Sequence, residues 1–364
     1  MATTLPSRRY GLLISKPGEL RMSALEMPQL SPGQVLIKTA CVALHPSDAK
    51  IVAAGFHRSC LAGLDFAGTV VAVGPGEMPG SVVVVGARVC GVVCGYSEMG
   101  GSMGAFADYI VAEAEFLLRV PDAMSFEQAS TLPGGLLTAG MTLFNTLRLR
   151  EKKPEEDRHV LVYGGSTASG MLIIQVLRHF DFKPIATCTP HNFDMVRAAG
   201  AVAVHDYHSD DCIAAIRAST GGRLGTAVDC ITSADSMRIC YEALRNLDAG
   251  DELNHARYVA LDSFPISGHT RRAVRPSWVF CMTAFGRALD WGAPYKTEAR
   301  RRDRDFAAAW IKEAEALVGQ GKIRPLRVRV VDGSLETAVT EGLDLLRRPG
   351  AVSGEKLVCK IDSA

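Results

Sequence analysis

The sequence lacks an apolar run long enough to cross a membrane, a block of like charge and a paired-cysteine framework. Its longest apolar stretches, such as VVVVG at 82–86, are strand-sized, far short of the roughly 20 residues that a spanning helix needs. The formal net charge is +1, so no overall field draws the chain to nucleic acid. Ten cysteines are scattered singly, several inside apolar runs (Cys188, Cys230, Cys359). The closest pair, Cys90 and Cys94, is followed by no second pair. That usage reads as small buried hydrophobes in a reducing compartment. The N-terminal MATTLPSRRYGLL has no uninterrupted apolar core of the signal-peptide kind, and a cytoplasmic location is expected.

What is present falls into three pieces. Residues 31–120 carry short apolar stretches, QVLIKTACVAL, FAGTVVAVG and SVVVVGARVCGVV, punctuated by glycines. Many short strands with glycine turns predict a compact, barrel-like, mainly β domain. Near residue 125 the spacing turns helical, in SFEQASTLPGGLLTAGMTLFNTL. Ser125 is placed to cap a short helix, with Gln128 three residues on. Pro133 and the double glycine are expected to interrupt that helix. REKKPEEDR (150–158) reads as a charged surface loop. From His159 strand-like and helix-like segments alternate as far as ARYVALDSF, which predicts a parallel sheet covered on both faces. The tail runs helix, strand, helix, strand, from FAAAWIKEAEALVGQGKI to GEKLVCKI.

The most informative stretch is HVLVYGGSTASGMLIIQVL. An apolar strand enters Gly164, Gly165, Ser166, Thr167, Ala168, Ser169 and Gly170, and an apolar-faced helix begins there. Small residues let a pyrophosphate approach the backbone, and the free N–H groups of a helix start point at it. The spacing is one residue longer than G-x-G-x-x-G, since Gly164 and Gly170 stand six apart. The next strand ends IATCTPHNF, without the Asp or Glu that would bind a ribose 2′-hydroxyl. Thr189, His191 and Asn192 stand there instead. A carboxylate would repel a 2′-phosphate and these groups tolerate it, which favours NADPH over NADH. Tyr207 is placed to flank the adenosine end.

This order of segments resembles the medium-chain dehydrogenase/reductase superfamily over essentially the whole chain. GLDFAGTVVAVG (63–74) is similar to its signature segment, and GGSTASG to the longer glycine turn of its quinone-reductase-like branch. The resemblance implies an α/β fold: a GroES-like, mainly β catalytic domain (1–137), a Rossmann-type, doubly wound parallel-sheet cofactor domain (138–305) and a segment (306–364) returning to the first. More narrowly, HPSDAK, LDFAGTVVAVG, LPGGLLTAG, LVYGGSTASG, IATCTPHNFDMVRAAGA, AVDCIT and GEKLV resemble the trans-acting enoyl reductases of fungal highly reducing polyketide synthases. That implies NADPH-dependent reduction of an α,β-unsaturated thioester on the acyl carrier domain of a partner synthase, or of a polyketide synthase–peptide synthetase hybrid.

In zinc-dependent members of the superfamily a cysteine stands where His45 stands here, and a His-Glu pair where this chain has Leu64 and Asp65. Leu64 cannot bind a metal, and no four-cysteine lobe follows Cys94, so the chain is expected to be zinc-free. The resemblance implies that the loop holding Ser47, Asp48 and Lys50 lines the cleft. Hydride addition to an enoyl thioester creates an enolate that needs a donor, and Lys50 is the candidate positive charge. Thr138 is implied near the nicotinamide. Pro46 and Asp262 complete the implied cofactor contacts. His45 is expected as packed scaffold.

Residues 263–306 mix aromatics with arginines, among them Arg271, Arg272, Arg275 and the 300–304 run, a candidate surface for an acidic carrier domain. The narrower family implies a monomer. Three alternatives stay open on sequence alone: a free-standing quinone or enone reductase, a redox-inert NADPH-binding protein, and a zinc alcohol dehydrogenase, which would need bound metal.

Overall fold

The structure is a computed structural model that describes residues 5–56, 59–76, 84–96, 103–151, 158–246 and 255–361. The chain forms two compact units, Met1–Gly134 with Phe285–Ala364, and Gly135–Ala284.

The first unit opens with β1 (Arg8–Lys16) and β2 (Glu19–Glu26), an antiparallel ribbon. β3 (Gln34–Ala43) leads into helix α1 (Pro46–Ala54), followed by β4 (Asp65–Val73), β5 (Arg88–Val92), β6 (Tyr109–Glu113) and β7 (Leu117–Arg119). Helix α2 (Phe126–Ala129) comes next, and α3 (Pro133–Gly140) carries the chain into the second unit.

The second unit alternates β8 (His159–Tyr163), α4 (Ala168–His179), β9 (Lys183–Thr187), α5 (Phe193–Ala198), β10 (Ala203–His205) and α6 (Cys212–Ser219). It continues with β11 (Thr226–Asp229), α7 (Ala234–Ala243), β12 (Ala256–Ala260) and β13 (Val274–Trp278). The chain then returns to the first unit. There it forms β14 (Leu289–Asp290), β15 (Lys296–Thr297), α8 (Arg301–Gly319), β16 (Val328–Val331), α9 (Leu335–Arg347) and β17 (Lys356–Lys360).

In the second unit the strands run in the order β10-β9-β8-β11-β12-β13, all parallel. The order reverses between β8 and β11, and such a switch point opens a crevice beyond the carboxyl ends of the strands. Leu161 and Tyr163 of β8 pack with Cys212, Ile216, Ile239 and Tyr241 of α6 and α7. Val160 and Val162 point to the opposite face by the period of a strand, and they too are buried. The expected α/β class and doubly wound sheet are observed.

The first unit's main sheet has the order β16-β17-β3-β4-β5-β7, with β6 also pairing β3. β6 takes residues 34–38 of β3, and β17 takes residues 41–43. The register fixes what meets at the end of β3. Ala43 lies opposite both Val358 and Asp65, and Asp65 opposite Val92. Leu44 N–H donates to Leu357 O at 3.0 Å. The end of β3, the starts of β4 and β17 and the chain leaving β5 therefore converge beside the N-terminus of α1.

The Ser125 cap forms as expected, its hydroxyl accepting from Gln128 N at 3.2 Å. The short helix does end, at Ala129, but the next one resumes earlier than expected: Pro133 and the double glycine open α3 instead of separating the helices. Proline costs nothing at a helix start, where its missing N–H would have no partner. Glycine is required one residue on, because a Cβ at Gly134 would lie 2.7 Å from Asp65 Oδ1. The tail helix also starts earlier than its apolar pattern, at Arg301. Arg304 explains part of that turn, since it pairs with Glu113 and Glu115. Most of the expected loop 150–158 lies outside the described residues. Among those residues no helix is long and apolar enough to cross a membrane.

Candidate active site

The glycine turn after β8 has the shape its sequence suggests. Gly164 adopts φ +80°, a left-handed conformation that favours glycine. Thr167 caps α4: its hydroxyl accepts from Gly170 N at 3.0 Å and donates to Gly164 O at 2.8 Å. A Cβ at Gly170 would fall 2.4 Å from Gly164 O, and one at Gly165 would fall 2.7 Å from the Ala186 Cβ. The turn is thus held tight against the sheet. Ser166, Thr167, Ala168 and Ser169 stay half-buried at its rim. The first amides of α4 have no partner inside the helix. Small rim residues, free amides and a helix N-terminus form a cradle suited to a pyrophosphate.

At the end of β9, Thr189, His191 and Asn192 form one polar knot. Asn192 Nδ2 lies 3.3 Å from Thr189 Oγ1 and 3.1 Å from His191 Nε2. Asn192 is buried and His191 exposed, and none of the three carries a negative charge. Tyr207 follows β10, its ring 5.8 Å from Tyr163 and 4.2 Å from His208. Asp262 follows β12, and its carboxylate accepts from Ser263 N at 2.8 Å.

The loop after β11 is held by one carboxylate that the sequence reading passed over. Asp229 is fully buried. It accepts from Ile231 N and Thr232 N at 2.9 Å each, from Ser236 Oγ at 2.6 Å and from the Tyr258 hydroxyl at 2.8 Å. This fixes Ile231 beside Gly164, whose Cβ would stand 2.9 Å from Ile231 Cγ1.

In the first unit, α1 carries Pro46, Ser47, Asp48 and Lys50. Pro46, Ser47 and Lys50 are exposed. Ser47 and Lys50 stand three apart and so share one helix face. Asp48 is shut from solvent. Its carboxylate accepts from His45 N at 2.8 Å and from the Tyr96 hydroxyl at 2.7 Å. Asp48 thus anchors α1 from inside. Thr138 lies half-buried on α3.

Two further charges stand beside Asp48. Asp65, fully buried, places Oδ2 2.8 Å from His45 Nε2. Lys356, 4% exposed, brings Nζ to 3.0 Å from His45 Nδ1 and 3.1 Å from Nε2. Near-equal distances to both nitrogens put the ammonium over the ring face, because an in-plane approach would collide with Cε1. Burial pushes the Asp48 carboxyl up from its ordinary value, partly offset by His45, Tyr96 and Lys356. Burial pushes the Lys356 ammonium down, opposed by Asp65 and Asp48. Burial also lifts the Tyr96 hydroxyl well above its ordinary value, with Asp48 adding to it. His45, expected as scaffold, is the hub of this cluster. Among the described residues no group of three or more His, Cys, Asp or Glu is placed to hold a metal ion. The cation facing His45 and the two carboxylates is Lys356 itself.

Of the arginines singled out for a carrier surface, Arg271 is committed elsewhere. Its guanidinium donates to the carbonyls of Tyr241, Leu244 and Arg245 and to Asn246, closing the end of α7. Arg272, Arg275, Arg300, Arg301 and Arg302 are exposed.

Comparison with known proteins agrees with these features. Residues 31–122 match the alcohol dehydrogenase GroES-like domain. The chain is 41% identical over 368 residues to a trans-enoyl reductase of Penicillium oxalicum, opdC, with 98% of each chain covered. It is 40% identical to the trans-enoyl reductase caaB of Aspergillus niger, with 97% of each covered. Among solved structures, an alcohol dehydrogenase superfamily protein from Novosphingobium aromaticivorans superposes with a TM-score of 0.75 at 23% identity. That match covers 97% of this chain and 100% of the other.

Proposed function

Because this chain belongs to the trans-enoyl reductases of the medium-chain dehydrogenase/reductase superfamily, we propose that it transfers hydride from NADPH to the β-carbon of an α,β-unsaturated polyketide thioester. The thioester is held on the acyl carrier domain of a highly reducing polyketide synthase. The relationship to trans-enoyl reductases over 97–98% of the chain carries this reading, and the glycine cradle supports it.

NADPH, when bound, supplies the hydride. In the cradle from Gly164 to Ser169 the amides of Ser166, Ala168 and Ser169 are the ones to meet the pyrophosphate, because those of Gly164, Gly165 and Thr167 bind Thr187 and Gly164, and Thr167 keeps the turn closed. Thr189, His191 and Asn192 accommodate the 2′-phosphate because none brings a negative charge. His191→Asp puts one there, and is expected to weaken NADPH binding about tenfold or more while sparing NADH. Fluorescence titration of both cofactors checks this.

Hydride addition moves the C=C electron pair toward the thioester oxygen, and a proton must then reach the α-carbon. Lys50 and Ser47, side by side on the exposed face of α1, offer a positive charge and a hydroxyl to the enolate. Thr138 orients the ring amide or ribose, with Pro46, Tyr207 and Asp262 as further cofactor contacts. Asp48 serves by holding α1. Crotonyl-pantetheine thioester and NADPH test the reading. Turnover to the saturated thioester is expected, and Lys50→Ala should lower kcat roughly a hundredfold with NADPH affinity unchanged. Equal turnover of small quinones or enones would favour the free-standing reductase instead.

Carrier domains are typically acidic, and Arg272, Arg275 and Arg300 to Arg302 are exposed basic groups that suit one. The sheet ends at β13, where Pro276 has no N–H to offer a second copy, in keeping with a monomer.

A further inference from the structure

Lys356 has no part in the hydride chemistry as described, yet the fold goes to some length to bury it. It begins β17, is followed by Leu357, Val358 and Cys359, all fully buried, and is itself 4% exposed. A buried ammonium loses its hydration, and a leucine or methionine would fill the same strand position without that loss. Packing alone therefore does not account for a lysine. What the ammonium adds is a charge at the point where the strand ends converge. It lies over the His45 ring, whose Nε2 meets Asp65 of β4, and its charge reaches Asp65 and Asp48 of α1, which holds Tyr96.

The position of α1 depends on those groups. His45 is the residue on which the helix starts, and its N–H is bound by Asp48. Without the ammonium, Asp65 keeps only the His45 ring, and Asp48 only the His45 N–H and the Tyr96 hydroxyl, to offset two buried negative charges. They would repel, and the first turn of α1 would be the part free to move. We propose that Lys356 is a positioning residue for the reductase reaction: its ammonium holds the ring of His45, which Asp65 and Asp48 bind in turn, and so fixes the turn of α1 that presents Ser47 and Lys50. This rests on the function proposed above, in which Ser47 and Lys50 face the enolate.

This clamp calls for a cation, and removing the side chain leaves a cavity that a small alkylammonium fits. The test uses the full chain with NADPH and crotonyl-pantetheine thioester. In Lys356→Ala, kcat is expected to fall roughly a hundredfold, the scale of a displaced catalytic group, with NADPH affinity within about twofold. Ethylammonium should restore kcat at least about tenfold, whereas ethanol, of similar size and uncharged, should not. Lys356→Arg should keep more activity than Lys356→Met.

Hydrogen exchange supplies a readout that does not depend on turnover. The amides of α1 should exchange faster in the alanine variant and slow again with ethylammonium. A kcat within about threefold of the parent overturns the proposal. So does a loss of kcat that neither ethylammonium nor arginine restores, or unchanged exchange in α1. If Lys356→Ala does not fold, the Lys356→Arg and Lys356→Met pair decides: equal activity in the two overturns the clamp. Should the parent chain itself leave the thioester unreduced, the functional reading fails, and the exchange experiment still judges the clamp.

Discussion

Replacing Asp229 with alanine is expected to cost the second unit about 4 kcal/mol or more. The carboxylate accepts two backbone amides and two hydroxyls in a site closed to solvent. A hydrogen bond to a charged acceptor contributes about 1.5–3 kcal/mol, and each buried donor left without a partner costs about 1–3 kcal/mol. A loss of that size belongs to the small class of severe single substitutions. Asp229→Asn keeps one acceptor oxygen and should lose roughly half as much. Urea unfolding followed by fluorescence, with and without saturating NADPH, measures both variants. Because the same loop packs Ile231 beside Gly164, NADPH should bind Asp229→Ala more weakly and recover only part of its stability. A variant as stable as the parent would mean that the Ser236 and Tyr258 hydroxyls find other partners.

Gly170→Val is expected to raise the NADPH dissociation constant roughly a hundredfold, since close approach of helix to strand is what this glycine provides. The new Cβ would stand 2.4 Å from Gly164 O and 3.0 Å from Gly165 Cα. Both are backbone atoms and cannot rotate away. Either α4 shifts outward, taking its first amides from the phosphates, or the turn at Gly164 opens. Calorimetric titration with NADPH reads the loss, and circular dichroism checks that the sheet persists. Affinity within about threefold of the parent would show that this turn does not hold the pyrophosphate.

Much of the second unit was legible because its signals are local. Strand and helix periods alternate on a scale of ten residues, and the run from Tyr163 to Gly170 spells out a turn that only small residues can make. The Ser125 cap was readable for the same reason, with acceptor and donor three residues apart. The second helix was readable too, but not its start at Pro133, because Gly134 answers to Asp65, a distant carboxylate, rather than to its own segment. His45 and Lys356 are 311 residues apart in sequence, and only the register of β17 on β3 joins them. One clue was present: a lysine opening an apolar strand, KLVCK, is seldom buried without a counter-charge. Asp229 gave a similar clue in AVDCIT. Arg271 read as a surface charge because nothing near it in sequence shows that it caps α7.

The proposed chemistry asks for fixed positive charge near the enolate, and α1 presents Lys50 outward while Asp48 ties the helix inward. The central claim, hydride transfer from NADPH to the β-carbon of a carrier-bound enoyl thioester, is tested most directly by isotope transfer. An enoyl chain loaded on an acyl carrier domain is reduced with NADPH carrying deuterium at nicotinamide C4, after exhaustive chelation of metals. The expected result is a saturated chain with one deuterium at the β-carbon, formed in step with NADPH consumed. A chain that stays unsaturated while NADPH is bound and unspent would contradict it.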